Sequence, residues 1–548
     1  MAQNLMTPGV YIEEKNAFPG SVVEVATAIP AFIGYTETAS RNGKSLVNQP
    51  TRITSFADYL ALFGGPFLAK FDVQGPEPIP AAQEGATVEP EAEAATADGS
   101  VTEPKGEPFS IGTKEFNIIY PDNNKLLFYN SIRLFYSNGG GTCYIVSVGT
   151  YKGKDSIEVD KDELEGGLLK LIKVQEPTII VMPEAVILKK VSYDIYATIL
   201  RHCRKMQSRV GIFDIYDGYE ERKEGDEDDI ITVFREKIGT ENLSYGAAYY
   251  PWLNTSIVQK GDVTYKNVKE WDKLIPQLSE KDIIEKFKAG FVKKHLSDKL
   301  AEIKPEEGTE AVLTDAQKKQ FTDEYIEANS KNYHLGLIAV SPSYASLMDE
   351  LRAKLNLLPA SAAMAGIYTM VDNGRGVWKA PANVGLNSVV QPAVNITHDQ
   401  QEDLNVNAIS GKSVNAIRTF QGVGTLVWGA RTLDGNSLDW KYINVRRTMI
   451  MLEQSIKLAL RAYVFEPNDA NTWITVKSLI VNFLTEKWKQ GALAGSSPED
   501  AFDVQIGLGA TMTALDILEG KMLISVKLAI VRPAEFIVVT FEQQMQKS

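Results

Sequence analysis

The chain has 548 residues, 44% of them hydrophobic and 23% charged, with a formal net charge of -13. That acidic balance argues against nucleic acid as the main partner. Two cysteines, Cys143 and Cys203, exclude a disulfide framework and suit a reducing site of synthesis. No apolar run is long enough to insert in a membrane.

At 548 residues the chain outgrows a single core, so about two to four domains are expected. The first residues lack a basic segment followed by an apolar one, so no secretory leader is expected. Pro8-Gly9 opens Val10, Tyr11, Ile12 and Glu13, a short extended run, and Lys15 to Gly20 follows as a linker with no core of its own. Ser21 to Tyr35 is strand material broken by Pro30. Ser55 with Asp58 three residues on predicts a capped helix that Gly64-Gly65 ends. Residues 66–108 turn to Pro, Glu, Ala, Thr and Gly, a composition too poor in large apolar side chains to offset ordering, and read as a low-complexity insertion.

Lys125 to Ser137 has helical spacing and Cys143 to Val148 is a strand. From Leu164 to Tyr250, helix and strand patterns alternate, which predicts a parallel or mixed α/β layer. Residues 260–331, rich in Lys and Glu, read as a solvated helical insertion. Tyr333 to Ser341 reads as a strand. In the helix expected over Trp440 to Val464, apolar residues recur every three or four positions, while Arg446, Arg447, Lys457 and Arg461 give the other face a basic character. A second helix is expected over Thr472 to Gln490, with Asn471 or Thr472 as its cap and Lys487 and Lys489 complementing its dipole.

Near the end, Ile524, Val526, Leu528 and Ile530 alternate with more polar residues as in a half-buried strand. Arg532-Pro533 breaks that strand, because proline cannot donate to a ladder. A second extended run follows: Glu535, Phe536, Ile537, Val538, Val539, Thr540 and Phe541. Two extended ends around a large body suggest arms that lock neighbouring copies together by strand addition.

Catalytic chemistry finds little support in the sequence. Gly411-Lys412-Ser413 lacks the earlier glycine of a phosphate loop, since Val406 stands there. The four histidines, His202, His295, His334 and His398, are far apart, and no zinc or calcium ligand series is present. Asp214 ends a strand where ligands bind in open sheets, but no second catalytic group accompanies it. The expectation is a structural protein and not an enzyme, with no catalytic, metal or cofactor site.

Seven segments in order carry a resemblance: TPGVYIEE (Thr7 to Glu14), NGGGTCYIVSV (Asn138 to Val148), AGIYTMVDNGRGVWKAPAN (Ala365 to Asn383), INVRRTMIMLEQSI (Ile443 to Ile456), FEPNDANTW (Phe465 to Trp473), GALAG (Gly491 to Gly495) and PAEFIVVTF (Pro533 to Phe541). With these the chain resembles the tail sheath proteins of contractile phages and contractile injection systems, and among them the extracellular injection particles.

The resemblance implies a multidomain α/β and α+β chain. Residues 1–20 would be an arm donated to a neighbour, 21–365 outer domains, 366–532 the inner sheath domain and 533–548 a second arm. It implies a homo-oligomeric lattice of stacked hexameric rings around an inner tube, with baseplate and terminator (cap) proteins at its ends. Contraction would drive the tube through a target envelope. Assembly would occur in the bacterial cytoplasm, with later release possible as part of a phage tail or tail-like particle. Arg446, Arg447, Lys457 and Arg461 are the candidate tube-facing residues. The alternative is a non-contracting shell or tube protein built by the same strand exchange.

Overall fold

The computed structural model describes residues 22–78, 106–111, 114–302 and 312–539. The expected N-terminal run Val10, Tyr11, Ile12 and Glu13 lies outside them, as do residues 79–105 of the low-complexity insertion and Thr540 and Phe541 of the C-terminal run. The described residues form a multidomain α/β and α+β architecture around three buried apolar clusters.

The largest cluster surrounds a nine-stranded sheet. In spatial order its strands are Val384–Gly385, Gly424–Val427, Asn415–Phe420, Gly246–Tyr250, Val210–Asp214, Ile179–Val181, Pro30–Thr36, Cys143–Thr150 and Thr51–Ile53. The six from Asn415–Phe420 to Cys143–Thr150 run parallel, and antiparallel strands close both sides. Ile179–Val181 and Val210–Asp214 are buried at every position, as the interior of a covered parallel sheet requires. The ladder between Pro30–Thr36 and Cys143–Thr150 carries an irregularity between Gly34 and Tyr35. There the buried Glu184 carboxyl group accepts from Tyr35 N at 2.9 Å and from Phe128 N at 3.3 Å, tying the irregularity to the start of helix Phe128–Ser137.

The second cluster belongs to a domain built from two insertions. A three-stranded antiparallel sheet, Asp72–Pro78, Lys114–Ile119 and Glu107–Ile111, joins helices Lys281–Glu302, Asp315–Ala328, Ser330–Val340 and Pro342–Leu355. Two expectations change here. Tyr333 to Ser341 lies in helix Ser330–Val340 and at its C-cap and is not a strand: Tyr333 and Leu337, one helical turn apart, are buried together on its inner side. The Lys- and Glu-rich stretch is helical but not merely solvated, because Ile284, Val292 and Ile326 are buried in this core.

The third cluster is the C-terminal domain. Met451, Leu452, Val476, Ile480, Phe483, Leu484 and Val504 meet there, with Val22 and Val377 added from remote segments. Helix Ile443–Leu460 serves two cores, giving Ile443 and Ile450 to the sheet and Met451 and Leu452 to the C-terminal domain. The division expected at 365/366 falls inside helix Ser361–Arg375. Residues on both sides of it are buried, and the sheet takes strands from both sides. A single apolar cluster thus closes across that point, because the parallel order is completed only when Asn415–Phe420 pairs with Gly246–Tyr250.

Candidate assembly interface

The C-terminal domain is organised on helix Ala470–Lys489, whose N-cap is Asp469, two or three residues earlier than expected; its side chain accepts from Thr472 N at 2.9 Å. Val476, Leu479, Ile480, Phe483 and Leu484 fill the inner face of this helix. An antiparallel ribbon of Phe502–Ile506 and Ile524–Leu528 contributes Val504 to the same core, in the register Phe502↔Leu528 to Ile506↔Ile524. Among the described residues these two strands pair with one another and with no third strand. A two-stranded ribbon is marginal alone, and its open edges invite a further strand.

Beyond Leu528 the chain stays on its own domain for a few residues. Ala494 N donates to Ala529 O at 2.7 Å, and Val531 N donates to Ala492 O at 3.2 Å. Glu535 is then held by Arg431, which donates from Nε to Oε1 at 2.9 Å and from Nη2 to Oε2 at 2.7 Å. Tyr442 Oη donates to Oε2 at 2.9 Å. Burial pushes the Glu535 carboxyl up, but the bonds and charge of Arg431 outweigh it and hold the group below the usual glutamate range. Immediately afterwards Phe536, Ile537, Val538 and Val539 are 72%, 81%, 89% and 65% exposed, and among the described residues no strand partner meets them. Four consecutive exposed apolar residues are a poor solution for a free surface.

The other end of the described chain reaches the same domain. Val25 N donates to Ser455 Oγ at 3.0 Å, and Glu24 pairs with the buried Lys487. Lys487 and Lys489 stand in the last turn of helix Ala470–Lys489 as expected, and Lys487 in addition turns inward beside Phe483 and Trp378. Residues Val23 to Thr27 and helix Ile443–Leu460 line a largely apolar cavity of about 470 Å³.

The four basic residues expected to face a tube divide into two pairs. Arg446 and Arg447 are 5% and 4% exposed and cannot present charge to a partner. Arg446 stacks between Tyr245 and Trp440, 4.0 and 4.6 Å from their ring centres, and Arg447 is paired with Asp372. Adjacent helix residues point about 100° apart, and here both directions lead inward, one against the sheet's elements and one against helix Ser361–Arg375. Lys457 and Arg461 lie on the exposed surface. Helix Ile443–Leu460 begins three residues after Trp440, and a 3-10 turn, Arg461–Tyr463, follows it.

The residues weighed for chemistry have structural partners. Asp214 is buried and accepts from Ser361 N at 2.8 Å, so it caps helix Ser361–Arg375 from a distant strand; burial raises its carboxyl to about 7. Lys412 is also buried, and its amino group donates to Arg235 O. Burial and the neighbouring Arg209 lower His202 to about 4. Among the described residues no group of three His, Cys, Asp or Glu side chains is placed to hold a metal ion. Sequence reasoning did not single out Arg431, Tyr442 or Asn415 as part of this site; the one available signal was an acid, Glu535, directly before an apolar run.

Residues 436–544 match the model of the phage tail sheath C-terminal domain. The chain is 28% identical to the tail sheath protein of Salmonella phage ViI over 28% of its own length and 24% of that protein's. It is 24% identical to a putative prophage major tail sheath protein of Pseudomonas aeruginosa (strain UCBPP-PA14) over 39% of its own length and 53% of that protein's. It therefore spans about a quarter and about half of these two relatives. Two solved structures cover almost the whole chain. The sheath of an extracellular contractile injection system, the PVC complex in its contracted state, aligns with a TM-score of 0.56 at 26% identity over 99% of both chains. The helical sheath of the anti-feeding prophage, also contracted, aligns with a TM-score of 0.55 at 26% identity over 98% of this chain and 99% of that one.

Proposed function

We propose that this chain, a tail sheath protein by its matched C-terminal domain and its full-length fold likeness, is the repeating structural subunit of a contractile sheath around an inner tube. The observation that carries this reading is the pairing of a deficit with a surplus. Among the described residues a two-stranded ribbon lacks outer partners, and the apolar run Phe536 to Val539 lacks a sheet. Donating Phe536 to Phe541 of one copy to a ribbon edge of the next satisfies both, and Val10 to Glu13 would serve as the second donated strand.

Each donated strand adds a handful of main-chain hydrogen bonds worth about 0.5 to 1.5 kcal/mol net apiece, and about 1.5 to 3 kcal/mol per buried large side chain. One arm is therefore modest, whereas a lattice of them holds through multivalency. Stacked six-subunit rings joined in this way can stay connected while the bodies rotate, so contraction needs no fuel site and draws on a metastable extended lattice. Baseplate and terminator proteins would close the two ends. Buried, unbonded Cys143 and Cys203 suit synthesis and assembly in a reducing cytoplasm.

Deletion of residues 536–548 tests the reading. The expected product is a folded, soluble body that forms no long sheath in electron micrographs; sheaths of normal length would refute arm exchange. Full-length assemblies should appear in two diameters, long-thin and short-wide, and a single fixed diameter under contracting conditions would instead support a static shell.

A further inference from the structure

We infer that Arg431, acting with Tyr442, is the anchor of the C-terminal arm: the two fix Glu535 to the body, set the arm's direction and pass load from the arm into the nine-stranded sheet. This rests on the donated-arm reading above and moves the root of the arm from Arg532-Pro533 to Glu535, so that the free segment begins at Phe536. Glu535 itself is then a tether and not part of the donated strand.

Three observations support the anchor. The grip is two-pronged, with both Glu535 oxygens engaged by one guanidinium and a phenol added to Oε2. The forked geometry of arginine fixes a carboxylate's orientation as well as its position. The holder is itself immobile: Arg431 is 5% exposed, its N donates to Asn415 Oδ1 at 2.7 Å, and Asn415 Nδ2 donates to Arg431 O at 2.8 Å and to Ala248 O at 3.1 Å. Asn415 and Ala248 lie on neighbouring parallel strands of the large sheet, so a pull on the arm reaches two strands through one side chain.

The third observation is the step in exposure along the chain. Glu535 is held at a side-chain exposure of 21%, and the next four residues are open to solvent. Without the anchor, the last backbone bond to the body would be at Val531. The free segment would lengthen by four residues, 532 to 535, and lose its direction. A longer, undirected tether lowers the effective concentration of the arm at the neighbour's ribbon.

The test uses the full chain. Cys143 and Cys203 are both fully buried, so spin labels can be directed to Leu438→Cys and Phe536→Cys, positions that are 77% and 72% exposed. In the unassembled parent the distance distribution between the labels should be narrow. Glu535→Gln should broaden it by about twofold or more, with the body still unfolding in one cooperative transition, at a lower melting temperature because Arg431 loses its counter-charge. Without labels, Glu535→Gln should raise the protein concentration needed for sheath growth roughly tenfold, which is about 1.4 kcal/mol. Arg431→Lys keeps the charge and loses the fork, and should fall between parent and Glu535→Gln in both measurements. Unchanged distributions, or broader ones with unchanged growth, overturn the anchor. If the chain lacking 536–548 polymerises normally, the arm reading fails, while the distances still decide whether Arg431 holds Glu535.

Discussion

Arg447 and Asp372 form a buried two-pronged ion pair, Nη2 to Oδ2 at 2.5 Å and Nη1 to Oδ1 at 3.0 Å, with side chains 3% and 2% exposed. Thr27 completes it: its hydroxyl donates to Asp372 Oδ2 at 2.7 Å, and its carbonyl accepts from Arg447 at 3.0 Å. Segments 345 and 420 residues away from Thr27 are joined there. Removing one partner of such a pair leaves an uncompensated buried charge at a cost of about 3 to 5 kcal/mol. Asp372→Ala should therefore lower stability by that amount in denaturant titration of the unassembled chain, and Asp372→Asn, which keeps an acceptor, by less.

Stability should depend on pH through two buried carboxyls. Burial raises Glu184 from 4.5 to about 8 and Asp214 from 3.8 to about 7. In the folded chain each keeps its proton to a higher pH than in the unfolded chain, so over those intervals the unfolded state binds fewer protons and stability falls as pH rises. The contribution is complete below about 4 and is lost by about pH 8. Glu184→Gln forfeits one acceptor among the bonds from Tyr35 and Phe128, at a cost of about 1 to 3 kcal/mol. Its denaturation midpoint should nonetheless fall less steeply between pH 4.5 and 8, which a series of urea titrations would read directly.

Gly366 lies where helix Ser361–Arg375 crosses helix Phe128–Ser137. A Cβ there would come within 2.6 Å of the Phe135 carbonyl oxygen and 2.9 Å of the Asn138 side chain. Alanine would gain up to about 1 kcal/mol of helix propensity, but the clash is partly with backbone, and overpacking of this kind costs about 1 to 3 kcal/mol. Gly366→Ala should therefore be net destabilising in thermal unfolding.

With Arg446 and Arg447 committed to the interior, any electrostatic grip of helix Ile443–Leu460 and its following turn on an inner tube falls to Lys457 and Arg461. Reversing both charges, Lys457→Glu with Arg461→Glu, should leave the melting temperature of the isolated chain within about 0.5 kcal/mol equivalent and strip the tube from extended sheaths during sedimentation. Exposed ion pairs are weak singly and screened by salt, so raising ionic strength should weaken the parent complex in the same direction.

The alternating middle of the chain was legible because buried parallel strands and the helices between them have distinct periods. Ser55 capping Phe56–Phe63, and strands Ile179–Val181 and Val210–Asp214, follow from local pattern alone. The Tyr333 run was not, since nine residues of mixed, mostly apolar character fit either period and the surrounding core decides between them. The partition of Arg446 and Arg447 was hidden for another reason: an arginine stacked on Tyr245 and one paired with Asp372 look, in sequence, like two surface cations. The extended character of the C-terminal run was readable, but the contact of Glu535 with Arg431, 104 residues away, is beyond the reach of any local pattern.

Strands Asp72–Pro78 and Glu107–Ile111 both pair with Lys114–Ile119, one along each edge. The polypeptide joining them can therefore be lengthened, shortened or exchanged without altering a rung of that small sheet.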